Sequence, residues 1–329
     1  RRHSPPPVIG RAEVGQLDWY ARDRVELIRA DLRCRRGLAE VVRGVDWVLH
    51  LAAAKRGDIY AQYAGTVVAT ENLLDSMTES GVRRLVAVSS FSVYDYARMR
   101  VFSILDEQSP IEADAFDRDE YAHTKLVQER LVREHATRHG WDLVVLRPGI
   151  IWGKDNLLNA WIGIPAGERL WLRTGAWATV PLTYVENCAD AIVMAAESKA
   201  AAGQTLNVVD DELPTQRRFA RMVFQRLSPS PIVVPVSYSL LRLIAGVTRQ
   251  VNKRFLGGRA KVPGLFVPAR LQARAKPLRY TNQRIKQVLG WKPRYSLAEG
   301  LERSLPRESG SAVDAPAPRK ASPIEVSTS

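Results

Sequence analysis

Apolar residues in the first half of the chain fall into short unbroken runs separated by longer stretches with helical spacing. Val25-Glu26-Leu27-Ile28, ending at Asp31-Leu32, predicts a strand, and Gly37 to Val45 a short helix. Trp47 to Ala53, Leu85 to Val88 and Leu143 to Leu146 are continuous apolar runs, the pattern of strands buried on both faces. Between them, about Tyr60 to Ser80 repeats Val67, Leu73, Leu74 and Met77 at helical spacing and stops at Gly81. A second helix is expected over about Asp119 to His139, closed by Gly140. Strands of this kind alternating with helices predict an α/β protein, a doubly wound parallel sheet with helices on both faces.

After Gly153 the pattern changes. Helices are expected at Asn187–Lys199, Thr215–Leu227, Ser237–Asn252, Asn282–Leu289 and Leu297–Leu305, with a strand at 205–209. Residues from about Arg307 are rich in Ser, Pro and Ala and predict a disordered tail. The 329 residues are 46% apolar and 25% charged, which excludes a fibrous or wholly disordered chain. No apolar run reaches the roughly 18 residues of a membrane span. The start, with prolines at 5–7 and no initiating Met, has no signal-peptide pattern and reads as a fragment or processed chain. Cys34 and Cys188 stand far apart, so neither a disulfide framework nor a metal site is expected. Charge changes the picture more. The net charge is +13, yet Arg217 to Arg294 holds 18 basic and no acidic residues, leaving 30 basic against 35 acidic elsewhere. A soluble basic face, a phosphorylated substrate or an anionic lipid surface would each suit that segment. Nucleic acid suits it poorly, because no recognition module or aromatic interleaving accompanies the charge.

Tyr121-Ala122-His123-Thr124-Lys125 sits on the second helix, with Tyr and Lys one turn apart on one face. An ammonium beside a phenol favours the phenolate, lowering the Tyr pKa from about 10 toward working pH and making it a general acid/base. Alone, such a pair equally suits a solvated helix face. Ser89 and Ser90 end one parallel strand and Arg147-Pro148-Gly149 another, at the edge where open α/β sheets bind ligands.

In order along the chain stand Asp31-Leu32, His50-Leu51-Ala52-Ala53, Ser89-Ser90 through Val93-Tyr94, Tyr121-x-x-x-Lys125, and Arg147-Pro148-Gly149 through Trp152-Gly153. Thr183 to Ala191 and Leu289-Gly290-Trp291-Lys292-Pro293 follow. Over about residues 20–305 this set resembles the extended short-chain dehydrogenase/reductase family, the NAD-dependent epimerase/dehydratase group. The resemblance implies a Rossmann-like fold with a smaller C-terminal substrate-binding lobe. It places the dinucleotide domain at 1–153 with 183–210 returning to it, the lobe at 154–182 and 211–305, and the tail at 306–329. It implies Tyr121 as the acid/base, Lys125 as the group that lowers its pKa and holds the nicotinamide ribose, and Ser90 as the substrate-orienting serine. Asp31, Leu32, Leu51, Ala52, Ala53, Val88 and Pro148, with Tyr121 and Lys125, would line NAD or NADP. Ser90, Ser92 and Tyr94 would face substrate. No metal is expected.

Three departures stand out. The family's glycine-rich strand-turn-helix is missing, about one strand–helix–strand unit, and truncation is the expected reason. Thr66 stands where Asn is common, and Asp95 where Gly is common. Phe91-Ser92 replaces the Asp-Glu pair of 4,6-dehydratases, which disfavours dehydration. The expectation is a cytoplasmic NAD(P)-dependent oxidoreductase or epimerase acting on a nucleotide sugar. Two alternatives stay open: a 3β-hydroxysteroid dehydrogenase-like enzyme on a sterol or lipid-linked substrate, and a non-catalytic binding protein. Ile232 to Asn252, apolar residues interspersed with Arg242 and Arg249, keeps peripheral contact with the inner face of an anionic membrane open. Besides a small-molecule substrate, a second copy of the chain is the remaining optional partner.

Overall fold

The computed structural model describes residues 26, 28–116, 118–157, 162–165, 169–227, 229–255 and 267–305. In chain order the elements are α1 (Leu38–Val42), β1 (Val48–His50), α2 (Ile59–Tyr63), α3 (Ala69–Ser80), β2 (Arg84–Val88), β3 (Ile104–Leu105), α4 (Glu120–His139), β4 (Asp142–Pro148) and β5 (Ile150–Trp152). Then come β6 (Ile164–Pro165), β7 (Leu170–Arg173), β8 (Leu182–Tyr184), α5 (Val185–Glu197), β9 (Thr205–Val208), α6 (Gln216–Phe224), β10 (Ile232–Pro235), α7 (Tyr238–Phe255), α8 (Pro268–Ala275), β11 (Arg279–Tyr280), α9 (Gln283–Leu289) and α10 (Leu297–Ser304).

The main sheet has the order β1-β2-β4-β9, and its β1–β2 and β2–β4 pairs are parallel, with Val48 opposite Leu85 and Arg84 opposite Asp142. The chain divides into two compact units. The first runs to Val93 and adds Asp114–Leu146 and Ala195–Thr205; the second holds Tyr94–Ala113, Arg147–Met194 and the chain from Leu206.

In the first unit Leu85, Ala87, Leu143 and Val145 pack with Leu73, Leu74 and Met77 of α3 and Val132 and Ala136 of α4. Those strand residues are buried because helices cover them, which is why the runs carry no polar alternation. Asp119 caps α4 by accepting from the Ala122 N–H at 2.8 Å, and Gly140 closes it at φ 64°, a conformation that favours glycine. A π-turn at Ala64–Val68 joins α2 to α3, interrupting the single helix that the periodicity predicts. The run from Val25 to Leu32 is a second difference: its described residues form no strand. Ile28 is exposed, Asp31 starts a turn with Cys34 N–H donating to its carbonyl at 2.9 Å, and among the described residues no strand pairs with the outer edge of β1. Without a ladder partner, apolar content alone makes no strand.

The second unit packs Trp152, Leu182, Tyr184, Phe219, Val223, Leu297 and Leu301 into one core. Around it lie the β10-β7-β6 sheet and the parallel pairs β5–β8 and β11–β3. Trp291, fully buried, donates its indole N–H to the Asn187 carbonyl at 3.2 Å. The expected tail at 306–329 lies outside the described residues.

Candidate active site

The site is built on α4 and on the carboxyl ends of β1 and β2. Ser89 and Ser90 directly follow β2, and the structure separates their tasks. Ser89 Oγ donates to Glu129 Oε2 at 2.5 Å, and Glu129 is in turn bridged by Arg133 at 2.8 Å. Ser90 Oγ accepts the Ser92 N–H at 3.1 Å, and Ser90 stands close enough to Tyr121 to act on its phenol. Ser92 Oγ is buried without a hydrogen-bond partner, while its carbonyl accepts from Arg118.

Tyr121 and Lys125 lie one turn apart on α4, as the spacing predicts. Their electrostatics differ from the sequence expectation. Burial pushes the Tyr121 phenol above its ordinary value, Asp119 adds to that rise, and Ser90 opposes it. The Lys125 ammonium has partners of its own. Its Nζ donates to the Val88 carbonyl at 2.6 Å and to Gln128 Oε1. The side chain is 2% exposed, and burial lowers its pKa to about 7, with Lys55 lowering it further and Glu129 raising it.

Behind Lys125 lies a buried polar network that the sequence reading did not single out. Gln128 Nε2 donates to Thr70 Oγ1 at 2.8 Å and to the Ala52 carbonyl at 3.2 Å, and lies 3.1 Å from His50 Nε2. His50 Nε2 is 2.8 Å from Thr70 Oγ1, and burial lowers its pKa to about 4. The only signal for Gln128 in the sequence is its place three residues beyond Lys125. Thr66 uses its hydroxyl to accept the Ala54 N–H at 2.9 Å.

At the end of β1, Leu51 is 55% exposed, Ala52 is also exposed and Ala53 half-buried, an apolar ledge on a strand end. Asp31 is exposed and gripped by Arg33 through its guanidinium at 2.7 Å, which holds the carboxyl at about 2, well below the usual range. A half-open apolar ledge, hydroxyls and one buried ammonium form a donor set that fits the ribose and nicotinamide of a dinucleotide. No glycine-rich turn for the pyrophosphate is found among the described residues.

Tyr94 and Pro148 belong to the second unit. Tyr94 is fully buried; its hydroxyl donates to Asn207 Oδ1 at 2.6 Å and accepts from Arg147 at 3.1 Å, and burial raises its pKa to about 12. Arg147 also lies 4.9 Å over the Tyr94 ring. Asp95, in place of glycine, caps a turn by accepting from the N–H groups of Ala97 and Arg98 at 3.0 and 3.2 Å. Pro148 is the last residue of β4.

Residues 6–208 match the model of the NAD dependent epimerase/dehydratase family, and the chain belongs to that family. It is 27% identical over 329 residues to 3beta-hydroxysteroid-dehydrogenase/decarboxylase isoform 2 of Arabidopsis thaliana, an alignment that takes in 94% of this chain and 57% of that protein. It is 24% identical over 287 residues to N-acetyl-alpha-D-glucosaminyl-diphospho-ditrans,octacis-undecaprenol 4-epimerase of Escherichia coli O157:H7, covering 84% of this chain and 82% of that one. The fold matches the crystal structure of UDP-glucuronic acid 4-epimerase from Bacillus cereus in complex with NAD, with a TM-score of 0.63 and 18% identity over 87% of this chain and 81% of that chain. The fold is therefore the Rossmann-like fold of short-chain dehydrogenase/reductase enzymes. The chain spans little more than half the length of the Arabidopsis relative.

Proposed function

We propose that the chain is an NAD(P)-dependent oxidoreductase acting at a secondary alcohol carbon, with Tyr121 as acid/base, Ser90 orienting the substrate oxygen and Lys125 holding the nicotinamide ribose. The observation that carries this is Tyr121 and Lys125 one turn apart on α4, with Ser90 at the end of β2 acting on the Tyr121 phenol. Asp31, Leu32, Leu51, Ala52, Ala53 and Val88 complete the cofactor lining. Bound at this lining, NAD(P) would supply the acceptor and donor for a hydride at the alcohol carbon. In the oxidative direction the Tyr121 phenolate takes the hydroxyl proton, in the reductive direction the Tyr121 phenol gives its proton to the carbonyl oxygen, and the Ser90 hydroxyl holds that oxygen by a hydrogen bond in both. An epimerase differs only in that the ketone turns over before it is reduced. The lack of an Asp-Glu pair at Phe91-Ser92 speaks against dehydration. In this reading residues 1–153 and 183–210 form the dinucleotide domain, and 154–182 with 211–305 the substrate lobe.

For the substrate, a steroid-like or lipid-linked alcohol is favoured over a free nucleotide sugar. Relatives named for hydroxysteroids and for an undecaprenol-linked sugar support it. So does the face of α7, where Leu240, Leu243, Ile244, Val247, Val251 and Phe255 are all exposed along one stripe. That stripe, with the basic segment around it, also supports peripheral contact with an anionic membrane. Among the described residues no helix is long and apolar enough to cross one. The nucleotide sugar remains the second reading, supported by the fold shared with a UDP-sugar epimerase.

The test is NAD(P)H formation with 3β-hydroxysteroids, polyprenyl-diphosphate sugars and UDP-sugars, using wild type, Tyr121→Phe and Lys125→Ala. Turnover should fall by a factor of about 10² to 10⁴ in Tyr121→Phe with the fold intact by circular dichroism. Normal turnover in that variant would remove the mechanism.

A further inference from the structure

Gln128 lies at the centre of the buried network behind the site. It is 4% exposed, and both ends of its amide are engaged. Oε1 accepts from Lys125 Nζ, while Nε2 donates to Thr70 Oγ1 at 2.8 Å and to the Ala52 carbonyl at 3.2 Å. The two acceptors fix the sense of the amide: its oxygen faces the lysine and its nitrogen the end of β1. The side chain thus joins the ammonium on α4 to the strand end beside Leu51 and Ala53, the ledge read above as cofactor lining.

We propose that Gln128 is the positioning residue for Lys125, fixing where its ammonium stands and how readily it holds its proton. The proposal rests on the reading of Lys125 as a cofactor-holding group only in its second arm below. A buried ammonium needs acceptors to replace lost water. Lys125 has two, and the Val88 carbonyl is one of them. Removing Gln128 removes the other and favours the neutral amine; a carboxylate there would favour the cation. The other charged groups acting on Lys125 are Glu129, on the next turn-face of α4, and Lys55, beyond the end of β1. His50, beside Gln128, is held neutral near pH 7 by burial. Glu129 is committed to Ser89 and Arg133, whereas Gln128 is the neutral partner, which Gln128→Met replaces without a change of charge.

The experiment has two arms. In the first, the ¹⁵N shift of the Lys125 Nζ is followed against pH in the protein without cofactor, for wild type, Gln128→Met and Gln128→Glu, with Lys125→Met assigning the signal. Gln128→Met keeps the volume and drops the side chain's hydrogen bonds to Lys125, Thr70 and the Ala52 carbonyl. The midpoint is expected to fall by about one pH unit in Gln128→Met and to rise by as much in Gln128→Glu. In the second, NADH fluorescence titrations from pH 6 to 9 read the same variants. Affinity is expected to weaken several-fold in Gln128→Met at pH 7. An unchanged midpoint in a folded Gln128→Met, checked by circular dichroism, overturns the proposal, and so does a midpoint in Gln128→Glu that fails to rise. If the midpoint moves but NADH affinity ignores Lys125→Met, Gln128 still positions Lys125 and the cofactor role of Lys125 falls instead.

Discussion

His50 is the residue whose burial has the plainest consequence for stability. Its imidazole is 3% exposed and its pKa is lowered to about 4 by burial, with Lys125 adding to the fall. Above about pH 6.5 neither the folded nor the unfolded state protonates it, so it contributes no pH dependence there. Below that, the unfolded chain binds the proton and the folded one does not, and stability falls by about 1.4 kcal/mol per pH unit until the pH reaches the folded value near 4. Asp210 acts in the opposite sense: burial raises it to about 6, so the folded state binds its proton first as the pH drops. Urea denaturation at pH 7, 6, 5 and 4 is therefore expected to show a shallow net slope in the wild type and a gain in stability toward acid in His50→Gln relative to it. Identical slopes in the two would mean that the imidazole is not the buried neutral group described here.

Among the elements, α10 is set by a glycine. A Cβ at Gly300 would stand 2.7 Å from the Trp152 ring and 3.0 Å from the ring of Tyr184. Both rings belong to the core of the second unit, with centroids 5.1 Å apart, and Trp152 is fully buried. Alanine would improve the intrinsic helix preference by about 1 kcal/mol. Overpacking an aromatic core costs about 1–3 kcal/mol, so the clash outweighs the propensity. Gly300→Ala should lower Tm by several degrees, whereas Ala298→Gly, on the exposed side of the same helix, should lower it through propensity alone. A Gly300→Ala protein as stable as wild type would show that α10 does not pack this closely on Trp152.

At the scale of the whole molecule, the distribution of charge matters more than its sum. All the excess of basic residues lies between Arg217 and Arg294, the stretch that also contains α7 and its exposed apolar stripe. Attraction of such a segment to an anionic surface is screened over about 10 Å at 0.1 M salt. Flotation with vesicles containing phosphatidylserine is expected to carry the protein at low salt, much less at 0.5 M, and hardly at all with neutral phosphatidylcholine. Leu243→Asp/Val247→Asp should abolish retention, since both side chains are more than half exposed and their loss does not disturb the core. Retention unchanged in that double variant would move the contact away from α7.

The sequence by itself determined the class of fold and the order of the chemistry. Unbroken apolar runs require cover on both faces, and Tyr121 and Lys125 one helical turn apart must share a face; neither depends on anything distant. Asp119 before α4 and Gly140 after it are likewise local signals, and the helix begins and ends beside them. Only the tertiary structure decided the rest, because each of those questions turns on a partner far along the chain. It assigns Ser89 to Glu129 and Ser90 to Tyr121, a distinction between two adjacent identical residues. It gives Ile28 no strand to pair with among the described residues, and seals Tyr94 between Arg147 and Asn207. It also sets the charge of Lys125. Burial acts on that side chain in three dimensions, and no spacing in a sequence reports how much water a side chain has lost.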